Sequence, residues 1–160
     1  MKYFDDLQVG DRFELGTYRF TAPDIKAFAA RFDPQRFHMD EAEAARSHFG
    51  ALCASGWQTA AVFMKLLVAY RKREAEAARR RGEPVAAVGP APGFRNLKWQ
   101  KPVYVDDTIS YASEVIALRP SGSKPRWGLM TSRASGINQD GDTVMTFEAT
   151  AFVERRPGQA

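Results

Sequence analysis

Ser55-Gly56-Trp57-Gln58-Thr59-Ala60-Ala61-Val62-Phe63-Met64-Lys65-Leu66-Leu67-Val68-Ala69-Tyr70 is the longest helical pattern in the chain, and the rest of the fold must be built around it. Ser55 and Gln58 have the spacing of a capping box, so a helix begins at this point and its pattern continues to roughly Arg80. From Trp57 to Tyr70 the apolar residues fall nearly all around the cylinder, and a helix apolar on every side must be wrapped by other structure. Beyond Tyr70 the residues turn charged, which predicts that the far end emerges into solvent.

The wrapping is supplied downstream. Residues 94–103, 108–118, 127–138 and 143–154 have strand character, with a hairpin turn at Asp140-Gly141 and a looser connection over residues 120–125. Residues 82–93, rich in Gly, Pro and Ala, read as a linker around the short apolar piece 85–88. A further strand is expected over residues 12–20, after the turn Val9-Gly10-Asp11. One buried helix followed by an antiparallel meander predicts an α+β domain over residues 1–154, with a strongly curved sheet wrapped around the helix and a disordered tail over 155–160. Domains of this kind cover their sheet edges and apolar faces by pairing, so a homodimer or larger homo-oligomer is expected.

Between the first strand and the long helix lie two shorter helical signals. Thr21-Ala22-Pro23-Asp24 offers a cap, a first-turn proline and an acid, predicting a helix over residues 22–31 with Ile25, Phe28, Ala29 and Phe32 as its apolar stripe. Pro34 disfavours helical geometry at Asp33 and ends that helix. Asp40 with Glu43 repeats the capping spacing and starts a short helix through about Arg46. Residues 33–38 are therefore expected as a brief irregular segment pinned between two helix ends.

Composition bounds the function. The 160 residues, 44% hydrophobic and 26% charged, fit one soluble core and exclude general disorder. Gln58 and Lys65 interrupt the best membrane-span candidate, and Met1-Lys2-Tyr3-Phe4-Asp5-Asp6 is too acidic for a signal peptide, so no membrane association and a cytoplasmic location are expected. Cys53, the sole cysteine, reads as a small buried apolar residue. His38 and His48 stand on no metal-binding spacing, so no metal is expected. Residues 71–81 hold six cations against Glu74 and Glu76, which equals the net charge of the whole chain, +4. Nucleic-acid binding would call for interleaved aromatics, and only Tyr70 borders the run; a solvated helix end, or a patch facing a phosphorylated ligand, fits better.

Two elements carry chemistry. Asp33 and His38, an acid and an imidazole five residues apart on a bend, can point at one small volume and hold a single water, the imidazole accepting a proton and the carboxylate orienting the water. Ser55-Gly56 opens a long dry helix whose first N–H groups have no internal partner and whose dipole favours negative charge, such as an enolate oxygen. Gly56 lets a ligand approach the backbone closely.

Asp33-Pro34-Gln35-Arg36-Phe37-His38-Met39-Asp40, followed by Phe49-Gly50-Ala51-Leu52-Cys53-Ala54-Ser55-Gly56-Trp57, resembles the hydratase segment of the MaoC-like dehydratases, which include the (R)-specific enoyl-CoA hydratases. The resemblance extends through Trp99-Gln100-Lys101-Pro102-Val103 to Phe147-Glu148-Ala149-Thr150. It implies a hot-dog fold, the long helix enclosed by the sheet, and a catalytic pair at Asp33 and His38. Gln35 stands where the family has Asn, and Arg36 where Pro is common, which places a cation near the entrance. The family's His-Gly pair corresponds to Ser55-Gly56, with the Gly56 amide as thioester donor and Ser55 in support. The implied reaction is reversible hydration of a trans-2-enoyl thioester, of CoA or an acyl carrier protein, to the (R)-3-hydroxyacyl product without metal or redox cofactor. Phe37, Trp57 and Phe63 are candidates to line an acyl pocket. Thioester hydrolysis and a catalytically silent acyl-CoA-binding subunit remain open as alternatives, because one fold hosts several functions.

Overall fold

A helix laid across one face of a five-stranded antiparallel sheet organises the molecule, and the computed structural model describes residues 2–158. The helix, α4, spans Gly56–Arg80. The strands are β1 (Arg12–Arg19), β2 (Phe94–Trp99), β3 (Thr108–Pro120), β4 (Trp127–Ile137) and β5 (Thr143–Glu154), in the spatial order β1-β3-β4-β5-β2. This is the α+β hot-dog architecture that the sequence implies. Among the described residues no helix is long and apolar enough to cross a membrane.

The core forms where α4 meets the sheet. Val62 and Phe63 from the helix pack with Ile109, Tyr111, Ala134, Val144 and Met145 from the strands. Tyr111, fully buried, also donates its hydroxyl to the Thr59 carbonyl at 3.2 Å, which fixes the second turn of the helix against β3. The β4–β5 connection is the loop 138–142, where Asn138 Oδ1 accepts from the Asp140 and Asp142 amides and Gly141 supplies a φ of +84°.

The wrap is one-sided, which corrects the expectation of full enclosure. Trp57, Met64 and Val68 are about half exposed, since a single sheet curves over only one flank of a cylinder. Phe32 likewise leaves the expected apolar stripe: it is 65% exposed, with its ring on Phe28 and the Arg31 guanidinium above it.

Helix α1 covers Ala22–Phe32, with Thr21 Oγ1 accepting from the Asp24 amide. The segment after it is more regular than expected. Arg36–Met39 forms a single helical turn, α2, because Pro34 ends one helix while nothing from Arg36 onward lacks an N–H; the His38 amide bonds to Gln35 O and the Asp40 amide to Arg36 O. Asp40 then caps α3 (Glu41–Ala45) through Oδ1. Strand β2 stops at Trp99 instead of continuing to Val103, because Pro102 has no N–H to extend a ladder. Val103 and Tyr104 turn instead to the segment before α4, with the Ala54 amide on Val103 O at 2.7 Å and a bridge between Cys53 and Tyr104.

Residues 82–93 run along the end of β5, with the Gly89 amide on Phe152 O and Val88 bridged to Val153. In the segment expected as a tail, the Arg156 amide bonds to Asp5 Oδ2 at 2.8 Å and its guanidinium to Asp6; residues 159–160 lie outside the described residues.

Candidate active site

Three chain segments converge on the amino end of α4. Asp33 is the C-cap of α1, its amide on Ala29 O at 2.9 Å, and Pro34 turns the chain so that its carboxylate leaves the helix axis. His38 rides on α2 and is buried. Ser55, also buried, is the N-cap of α4 and accepts from the Trp57 amide at 3.2 Å.

Ser55 Oγ donates to Asp33 Oδ2 at 2.6 Å, and Gln35 Nε2 donates to Oδ1 at 2.8 Å. Burial alone would push the Asp33 carboxyl up; the bonds from Ser55 and Gln35, together with the neighbouring His38, more than offset it and hold the group below the usual aspartate value. Asp33 therefore stays an anion. His38 Nδ1 lies 2.7 Å from the Cys53 carbonyl oxygen. A carbonyl can only accept, so Nδ1 carries a proton, and in the neutral form of the ring Nε2 is the nitrogen left to accept one. Nε2 is 3.5 Å from Asp33 Oδ2, long for a direct bond and close enough for one water to touch both.

A cavity of about 380 Å³ opens on this pair, lined also by Gln35, Phe37, Cys53, Ser55, Gly56, Trp57 and Trp99. Gly56 is the first residue of α4, so its N–H has no helical carbonyl to bond. A side chain there would collide with Trp99: a Cβ would sit 2.5 Å from the indole Cε2. Trp57 and Trp99 pack edge to face at 5.1 Å.

The structure thus brings together Asp33, Gln35, Phe37, His38, Ser55, Gly56 and Trp57 around one cavity. It does not bring in two of the residues singled out in the sequence. Arg36 is solvent-exposed beside the cavity, 3.7 Å from Glu43, in a shallow depression that it shares with Gln35, Phe37 and Arg46. Phe63 is buried between Tyr111 and Phe147 and lines a separate apolar chamber, which shares Trp57 with the first cavity. Two contributors escaped sequence reasoning. Trp99 reads only as one residue of the strand expected over 94–103 and of the stretch that carries the resemblance, with no role in the site, and the Cys53 carbonyl, which orients the imidazole, has no signature because any residue brings one.

Comparison with known proteins agrees with the fold. A crystal structure of the MaoC-like dehydratase from Rhodospirillum rubrum is similar over 98% of this chain and 99% of that one, at 36% identity and a TM-score of 0.80. The (R)-hydratase from A. caviae involved in PHA biosynthesis is similar at 28% identity, over 94% and 98% of the two chains, with a TM-score of 0.64. YdeM of Bacillus subtilis is 28% identical over 151 residues, 94% of this chain and 98% of that protein. The MaoC like domain matches residues 7–126, a span that holds Asp33, His38, Ser55 and Gly56 alike, and the chain belongs to that family.

Proposed function

We propose that the protein is an (R)-specific hydratase that adds water reversibly to a trans-2-enoyl thioester of CoA or an acyl carrier protein. The observation that carries this reading is the pairing of His38 Nε2 with Asp33 Oδ2 at 3.5 Å inside a cavity that also reaches the start of α4. Family membership and the similarity to an (R)-hydratase support it.

In this reading a water bound between the two groups gives a proton to His38 Nε2 while its oxygen bonds to C3 of the enoyl group. The electron pair of the double bond moves onto the thioester oxygen, which rests on the Gly56 amide in the positive field of the helix end. The enolate then collapses and C2 takes a proton from the same pair. Both new bonds form on the face toward Asp33 and His38, which gives one stereoisomer. No net oxidation or reduction occurs, so the reaction calls for no redox cofactor, and in this reading the acid–base pair and the Gly56 amide take the roles a metal would otherwise fill. The acyl chain would enter the apolar chamber beyond Trp57.

A homodimer belongs to the same proposal. Trp57, Met64 and Val68 recur along one side of α4, and Phe94 and Trp99 are exposed on the edge strand β2. A second copy laid over this face would cover both the helix flank and the open edge.

The test follows loss of enoyl absorbance and release of free thiol together, on a panel of trans-2-enoyl-CoAs. Hydration without thiol release is expected, with His38→Ala and Asp33→Asn each lowering kcat by about 10²–10⁴. Thiol release without hydration would replace the reading with thioester hydrolysis. Tight acyl-CoA binding with neither reaction would make the chain a binding subunit.

A further inference from the structure

Two chambers, each of about 400 Å³, lie along α4, the nearer one lined mainly by apolar side chains. The nearer shares Trp57 with the catalytic cavity, and the farther shares Leu67, Arg71, Ser113 and Met130 with the nearer. The linings overlap along α4, so an acyl chain that follows the helix past Trp57 reaches Arg71, which both chambers share.

Arg71 is only partly accessible to solvent, and burial pulls its guanidinium below the ordinary arginine value with no opposing charge to restore it. Among the described residues no carboxylate lies within ion-pair distance of it. The other charges around the farther chamber are largely matched: Asp6 with Arg156 at 2.9 Å, Glu83 with Arg81 at 2.7 Å, and Lys2 with Asp11 at 2.9 Å. Glu74, three residues on from Arg71, also lines the farther chamber; its charge is felt at Tyr70 and Arg81, and it makes no ion pair with Arg71. At the same junction Ser113, itself only 5% exposed, lines both chambers. A cation drawn out of water without a counter-charge is costly unless something anionic pairs with it. A guanidinium fork suits a carboxylate, which it grips through two parallel bonds.

We propose that the junction at Arg71 and Ser113 is a subsite for a carboxylate at the far end of the acyl chain, so that the preferred substrate is an ω-carboxy enoyl thioester in place of a methyl-ended one. The inference rests on the thioester reading above and deepens it. It also sets a length. Gly56 and Arg71 are separated by about 22 Å of helix at the usual rise, and helical side chains lean back toward the amino end, so a long acyl chain spans the distance and a short one does not.

The experiment compares trans-2-dodecenoyl-CoA with its ω-carboxy counterpart, in hydration and, with the saturated analogues of both, in calorimetric binding. Wild-type protein is expected to favour the carboxylate-ended compound by at least about tenfold in kcat/KM and in affinity. Arg71→Met should remove that ratio and Arg71→Lys should retain part of it, while the thermal transition of each variant reports whether it has folded. Hydration of both compounds without preference overturns this inference and leaves the hydratase reading standing. Preference in binding without turnover of either supports the subsite and overturns the hydratase reading instead. Absence of binding by both, or an Arg71→Met variant that keeps the wild-type ratio, overturns the subsite.

Discussion

Ser55 Oγ donates to Asp33 Oδ2 at 2.6 Å while it accepts from the Trp57 amide at 3.2 Å, so one hydroxyl both caps the long helix and anchors the candidate catalytic carboxylate. Ser55→Ala removes both bonds. It should lower stability by about 1–2 kcal/mol and reduce kcat at least about tenfold as Asp33 loses its fixed position. Denaturant midpoints and hydration kinetics check the two effects separately. A loss of stability with kcat unchanged would show that the hydroxyl serves the helix alone.

The lowered pKa of Asp33 makes its contribution to stability depend on pH. A carboxyl whose folded value lies below its unfolded value stabilises fully above the unfolded value, about 3.9, and loses that contribution as pH falls through the lower folded value. Unfolding midpoints of wild type and Asp33→Asn, followed from neutral to strongly acidic solution, should therefore converge at the acid end. A constant gap between them would mean that the bonds from Ser55 and Gln35 do not favour the anion.

Gly56 has no room for a side chain against Trp99. Gly56→Ala should displace the indole, shift tryptophan emission and raise KM or lower kcat by about tenfold or more, since small misplacements near reacting atoms are expensive. If the spectrum and kinetics stay as in wild type, Trp99 is not a wall of the site.

Cys53 is 1% exposed, and burial pushes its thiol up to about 11. At neutral pH the native protein should resist alkylating reagents that react with it at once in denaturant. Rapid modification of folded protein would reveal a thiolate and reopen the question of a nucleophile at this position.

How much of this was readable in advance follows from the range of the forces involved. The bounds of α1 and α4 follow from local chemistry, Thr21 and Ser55 at their starts and Pro34 after the first, and the strands follow from alternation and the turn at Asp140-Gly141. The acid and the imidazole are marked by residue type and spacing. The helical turn under His38 was missed because four residues carry too little periodicity to register. The approach of Trp99 to Gly56 and the seat of His38 Nδ1 on the Cys53 carbonyl depend on chain crossings distant in sequence, and no spacing encodes them. Exposure of Phe32, Met64 and Val68 was misjudged for a related reason: periodicity identifies an apolar face and is silent on whether one chain alone can cover it.

In the proposed homodimer the row formed by Trp57, Met64 and Val68 is covered by the second copy, which would tie the folded state to protein concentration. With a second copy as its shelter, dilution strips that shelter away, and the melting temperature should drop as the solution is thinned.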